Sequence, residues 1–109
     1  DREGVRLRYS ELRIETYAAR SILYRTARLG ESGEDIINEA MAAKVFCTEA
    51  LGRIVDGAVQ LTGGQALISG HPLEALYKSV RSLRVAGGAT DVLRLNIAKG
   101  RLDFDAGRL

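Results

Sequence analysis

Apolar residues recur along this chain at helical spacing almost throughout. From about Val5 to Leu29 good helix formers dominate, and Ile14, Tyr17, Ala18, Ile22 and Leu29 trace one stripe. Gly30 reads as the C-cap of this helix, and Ser32 followed three positions later by Asp35 reads as a capping box for the next. The second helix has the clearest pattern: Ile36, Ala40, Ala43, Cys47, Ala50, Leu51, Ile54, Ala58 and Leu61 fall three and four apart with no Pro between them. Small residues fill much of that stripe, so a neighbouring helix can approach closely.

Gly63-Gly64 ends the second helix, Gln65 to His71 forms a loop, and Pro72 suits a first helical turn. A third amphipathic helix carries Leu73, Leu76, Tyr77, Val80 and Leu83. After Gly87-Gly88, Thr90 or a neighbour caps a final helix from about Asp91 to Lys99, with Asp103 to Leu109 expected as a frayed tail. No strand pattern exceeds four residues, and there are no repeats. The expected fold class is all-α, an antiparallel bundle of three long helices and a shorter final one.

A length of 109 residues suits a single domain with a modest core. There is no apolar run long enough to span a membrane and no signal-peptide pattern. The single cysteine, Cys47, excludes an internal disulfide, fits a reducing compartment, and on its apolar stripe reads as a buried, inert thiol. His71 has no second His or Cys at ligand spacing, so no metal site is expected. Net charge is +2, with thirteen Arg against three Lys, interleaved with acids as in RYSELRIE. A nucleic-acid footprint needs basic residues gathered on one face beside stacking aromatics. The reading here is a solvated helix face, with Tyr9, Tyr17, Tyr24 and Tyr77 as packing residues and no nucleic-acid partner. The chain opens on Asp1, consistent with processing or with excision from a longer polypeptide.

Two glycine pairs invite functional readings. Gly63-Gly64 at a helix C-terminus is foremost a left-handed cap, at the wrong end for an anion, and Gln60 is a surface amide. Gly87-Gly88-Ala89-Thr90-Asp91 precedes a helix N-terminus, where free N–H groups can hold an anion or a polar cofactor edge. A capped helix after a flexible turn is the competing reading, since Asp91 itself favours the helix dipole.

The order of segments from Met41 to Leu102 resembles the C-terminal domain of the acyl-CoA dehydrogenases. AAKVFCTEALGRIVDGAVQLTGG, HPLEALYKSVRSLRV and GGATDVLRLNIAKGRL follow that family's A-K-x-x-A-x-x-A, V-Q-x-x-G-G-x-G, Y-P-V-E-R-x-x-R-D-A-K and I-Q-R-x-x-I-A-R patterns. Val5 to Leu29 fits the preceding bundle helix by position and character. The resemblance implies a segment of an FAD-dependent oxidoreductase of fatty-acid metabolism that desaturates an acyl-CoA thioester. Gln60, Leu61, Gly63 and Gly64 fall where the family touches the FAD of a neighbouring subunit; Ala89, Thr90 and Asp91 fall where its last turn lies against FAD; Gly88 falls at the acyl thioester. The usual catalytic glutamate position is Gly87, so the chain offers no base there. Other departures are Ala66, Lys78-Ser79, Ala86 and Ala89. Branches of the family that resemble isovaleryl- and long-chain-specific enzymes carry the glutamate on a helix that would lie before Asp1.

The resemblance thus implies a catalytically silent segment that supplies bundle packing, a subunit interface and part of an FAD site, without retaining FAD alone. The parent protein is expected in the cytoplasm, or the mitochondrial matrix if eukaryotic. Alternatives are a silent subunit of a hetero-oligomeric dehydrogenase and a helical self-association module. With the bundle's first helix absent, the small-residue face of Ile36 to Leu61 is expected to open an apolar groove that a second chain fills as a dimer or tetramer.

Overall fold

A computed structural model describes residues 2–86 and 89–109. Helix α1 spans Arg2–Glu31, α2 Ile37–Thr62, α3 Pro72–Leu83 and α4 Thr90–Phe104, with a 3₁₀ turn at Gly64–Leu67; no strand occurs among the described residues. The all-α expectation holds. α4 runs five residues beyond Lys99, which makes the 12-residue α3 the shortest helix and α4, at 15, longer than anticipated.

Helix α2 is the spine. α1 lies antiparallel along it: Leu12 sits against Gly57, Glu15 pairs with Arg53 at 2.8 Å, and the Cys47 thiol reaches the Ala19 carbonyl at 3.4 Å. A Cβ on Gly57 would meet Leu12 Cδ2 at 2.7 Å, so any side chain there would make Leu12 shift at this crossing. α3 runs back along the C-terminal half of α2, its end fixed by the 3.1 Å Arg84–Glu49 pair. α4 continues in the same direction along the N-terminal half, where Gly100 packs on Asn38. The α3–α4 connection is therefore a step along the spine and not an antiparallel hairpin.

The ends of the helices use different residues from those expected. Gly33, not Gly30, is the left-handed terminator of α1 (φ 82°), with Gly33 N–H donating to Gly30 O and Glu34 N–H to Leu29 O, the Schellman arrangement. Gly30 remains helical and lies against Ile36. Ser32 donates its hydroxyl back to Leu29 O, while the Asp35 carboxylate, one residue before the N-cap Ile36, accepts from Ile37 N–H at 3.1 Å.

The tail is not frayed. Asp105 turns left-handed (φ 50°), and the chain folds back over the start of α2. Asn38 donates to Ala106 O at 3.0 Å, Arg108 N–H donates to Glu39 at 2.7 Å, and the Arg108 guanidinium reaches Asp35 O and Glu34 at 3.1 and 3.0 Å. Gly100 and Gly107 both press on Asn38, at contacts a Cβ would close to 2.6 and 2.8 Å. Glu39 is buried; that burial alone would raise its pKa, but hydrogen bonds from its own and Arg108's backbone N–H and the Arg108 guanidinium outweigh it and hold the carboxyl below its ordinary value. Asn38, Glu39 and Thr48 are buried polar residues that apolar periodicity gives no reason to single out.

The core is small: Ala43, Ala50, Val55, Ala66, Val80 and Leu93 are its buried apolar members, and among the described residues no large side chain is fully enclosed. Ile14 and Tyr17, expected inside, are 69% and 77% exposed, and Tyr9, Tyr24 and Tyr77 are exposed as well, so the tyrosines do not serve as core packing. Accessible surface is 7624 Å², against about 5,900 Å² for a folded monomer of this mass. The radius of gyration, 16.5 Å, exceeds the ~13 Å of a compact chain of this length. On the small-residue face of α2, Ala43, Ala50 and Gly57 are buried, Gly57 against Leu12 of α1. The open apolar groove lies on its flank, a cavity of ≈ 360 Å³ bordered by Ile22, Leu29, Ala42, Phe46 and Leu109.

Candidate functional site

At the end of α2 the chain turns on Gly63 (φ 90°), whose N–H donates to Val59 O at 2.8 Å and whose carbonyl accepts from Ala66 N–H at 3.0 Å. That second bond starts the 3₁₀ turn and drives the Ala66 side chain fully into the core, so the methyl has a packing role. The neighbouring backbone stays open: a Cβ on Gly63 or Gly64 would meet no atom within 4 Å. Gln60 and Leu61 are exposed on the last turn of the helix. Together these residues present bare backbone and one amide to the surroundings. His71 is used structurally, its Nδ1 accepting from Leu73 N–H at 3.1 Å to cap α3.

The second patch is the start of α4. Ala89 is extended (φ −66°, ψ 148°) and makes no side-chain cap, so the first-turn N–H groups lack a side-chain acceptor from the N-cap. Thr90 is half-buried, and Asp91 is exposed and pairs with Arg94 at 3.2 Å. Two cations flank the approach: Lys44 donates to Ala86 O, and Arg84 is held by Glu49. Sequence periodicity singled out neither; only the folding of α3 along α2 brings them to this turn. Gly87 and Gly88, the base position and the thioester contact in the sequence reading, lie outside the described residues.

The two patches are not one site within the chain. The α3–α4 connection lies beside Lys44 and Glu49, and Gln60 is eleven residues further along α2, about 16 Å at helical rise. A single contact patch cannot include both. Among the described residues there is no cluster of His, Cys, Asp or Glu able to hold a metal ion, and no helix long and apolar enough to cross a membrane. The Cys47 thiol is half-buried, and its burial pushes the pKa up, away from nucleophilic use.

The family described as acyl-CoA dehydrogenase, C-terminal domain, matches residues 1–102. The chain is 37% identical over 100 residues to (R)-benzylsuccinyl-CoA dehydrogenase of Thauera aromatica, covering 91% of this chain and 25% of that protein. It is 31% identical over 102 residues to 3-sulfinopropanoyl-CoA desulfinase of Cupriavidus necator, covering 94% and 26%. Over 90 residues it is 30% identical to the mitochondrial very long-chain specific acyl-CoA dehydrogenase of Mus musculus, covering 82% and 14%. The chain thus spans about a quarter or less of the length of these relatives, whose names include a desulfinase as well as dehydrogenases. The protein belongs to the acyl-CoA dehydrogenase family and carries that family's C-terminal helical domain.

Proposed function

We propose that this chain is the C-terminal segment of an FAD-dependent acyl-CoA dehydrogenase, and that it supplies two separate parts of a flavin site together with a subunit interface. The observation that carries the reading is the pair of exposed backbone patches, at Gln60–Gly64 and Ala89–Asp91, standing about 16 Å or more apart along the spine. Separation of that kind suits contacts to two different flavins, or to two ends of one, better than a single pocket. The residues fit such a group: Gly63 and Gly64 leave open backbone, and the α4 N-terminus offers N–H groups without a side-chain cap. Gln60, Leu61, Gly63 and Gly64 would hold the adenosine-diphosphate part of a neighbouring subunit's FAD; Ala89, Thr90 and Asp91 would lie against the chain's own.

FAD, when bound, accepts the hydride of acyl desaturation. The chain's part is to position and exclude water, with Gly88 at the thioester and no base at Gly87. Any base then comes from elsewhere in the parent protein, and the segment alone is silent. To test this, the 109-residue segment is mixed with FAD, an acyl-CoA and an electron acceptor. The reading predicts no reduction above the protein-free rate, and steady reduction would overturn it.

Self-association is part of the same reading. The surplus of roughly 1,700 Å² of accessible surface is about what two standard subunit patches remove from one chain. The groove at Ala42 and Phe46 is the natural place for one of them. Gly87 also favours a second reading, a silent partner of an active dehydrogenase. The residue that opens the parent's first C-terminal-domain helix separates the two: glutamate there marks an active enzyme, its absence a silent subunit. A matrix or cytoplasmic location belongs to both.

A further inference from the structure

The end of α3 is laid along α2 by contacts that run in order. Gly52 lies beside the Arg84 stem, whose Cδ stands 4.0 Å from the place of a Cβ. Glu49 holds the Arg84 guanidinium at 3.1 Å, and Lys44 donates to the Ala86 carbonyl. The α2 partners step toward that helix's N-terminus as the chain moves from 84 to 86, which aims it at α4. The Lys44 contact differs in kind from the others. Arg84 is the half-buried C-cap of α3, whereas Ala86 is exposed and lies past the helix, in the turn. Val85 and Ala86 both give their N–H groups to Ser82 O at 3.1 Å, so the turn is wound onto α3 on one side and tied to α2 through the Ala86 carbonyl on the other. Lys44 stands on a firm base, since buried Thr48 donates to its carbonyl at 2.7 Å. At the far end of the connection Ala89 O accepts from the N–H of buried Leu93 at 3.1 Å.

We propose that Lys44 is a positioning residue for the flavin-facing turn: its bond to the Ala86 carbonyl sets how the chain enters α4, and so where the Ala89–Asp91 backbone meets FAD. The inference rests on the flavin reading above and adds the residue that sets its geometry. Glycine restricts its own backbone least, and the two residues between Ala86 and Ala89 are both glycines, with no side chain to anchor a turn. Placement has to come from their neighbours, and Lys44 is the α2 side chain that reaches the nearer one. The role is distinct from bulk stability. An exposed charged contact contributes little to it, and the end of α3 keeps the Arg84–Glu49 pair without Lys44. Placement tolerates far less, because a displacement of ~1 Å at a bound group costs up to about a hundredfold in rate.

The test uses the whole parent protein with Lys44→Met, which keeps an unbranched stem and removes the donor, and Lys44→Arg, which keeps a donor. FAD affinity, measured by titrating the flavin-free protein, is expected to fall about tenfold in Lys44→Met and to recover most of that in Lys44→Arg. Amide exchange at Leu93 and its neighbours in the first turn of α4 should quicken about tenfold or more in Lys44→Met, with α1 unchanged. Unchanged exchange would overturn the proposal by denying the tie. Faster exchange with unaltered FAD affinity would overturn it by leaving the tie structural alone, and so would an arginine variant that recovers nothing. A Lys44→Met protein that unfolds would overturn it as well, since the bond is assigned little global stability. A wild-type protein that binds no FAD would overturn the flavin reading itself and this inference with it; exchange needs no flavin, so that failure is told apart from a failure of the tie.

Discussion

Removing the Arg108 side chain should destabilise the domain by about 2 kcal/mol at neutral pH, although Arg108 is the penultimate residue and lies beyond the family match. Breaking a fully buried ion pair costs roughly 3–5 kcal/mol, because the orphaned partner stays desolvated. Here the orphan would be Glu39, whose side chain is 9% exposed, with Oε2 already lacking a hydrogen-bond partner. The Arg108 side chain is 36% exposed, so water replaces part of what is lost and the lower figure applies. Its second pair, with the more exposed Glu34, adds well under ~1 kcal/mol.

The pH dependence follows from the Glu39 carboxyl being held below its ordinary value. A depressed folded pKa contributes stability that is complete above the ordinary carboxylate value and is lost as pH falls through the depressed one. The gap between wild type and Arg108→Ala should therefore be full at pH 7 and narrow below about pH 4. Urea unfolding at fixed protein concentration, with Glu39→Gln and the double variant completing the cycle, measures both. Coupling of about 1 kcal/mol or more between the two residues is expected. An Arg108→Ala variant within about 0.5 kcal/mol of wild type at pH 7, or a cycle without coupling, would refute the clamp.

Other expectations follow from the same geometry. Gly107→Ala should release the tail, since it strains a φ of 87° and drives a Cβ to 2.8 Å from Asn38 Cβ; faster amide exchange at Ala106 and Arg108 would report it. Asp35→Ala should cost about 1 kcal/mol and Ser32→Ala close to nothing, because only Asp35 accepts from an N–H at the start of α2; the reverse order in thermal melts would contradict the assignment. Sedimentation of the segment should show a concentration-dependent oligomer that Phe46→Glu weakens, and a monomer at all concentrations would contradict the surface surplus. Cys47 should react with a thiol reagent far more slowly in the folded chain than in urea.

Much of the fold was legible because periodicity and breakers act locally. The α3 boundaries, Pro72 and Leu83, follow from a Pro at the first helical position and an apolar stripe, and the end of α2 from the glycine pair. Residues fixed by distant contacts were not legible. Asn38 and Glu39 are buried only because a tail almost seventy positions away folds over them, and no local pattern announces that. The α1 stripe misplaced Ile14 and Tyr17 because periodicity finds an apolar face, whereas the α2 contact is centred instead on Leu12, Glu15 and Ala19. At the candidate site, the open backbone at Gly63-Gly64 follows from the sequence, but Lys44 and Arg84 beside the α4 turn depend on how α3 lies along α2.

The flavin content of the whole parent protein with Gly64→Val tests the central claim most directly. Gly64 has no positive φ and nothing within 4 Å of a would-be Cβ, so the substitution leaves the chain's own packing undisturbed and adds bulk only to the face assigned to a neighbouring subunit's FAD. The account predicts stoichiometric flavin in the wild-type protein and a marked loss of visible flavin absorbance in the variant, at unchanged helicity. A wild-type protein without flavin, or a variant that keeps its full complement, would contradict it.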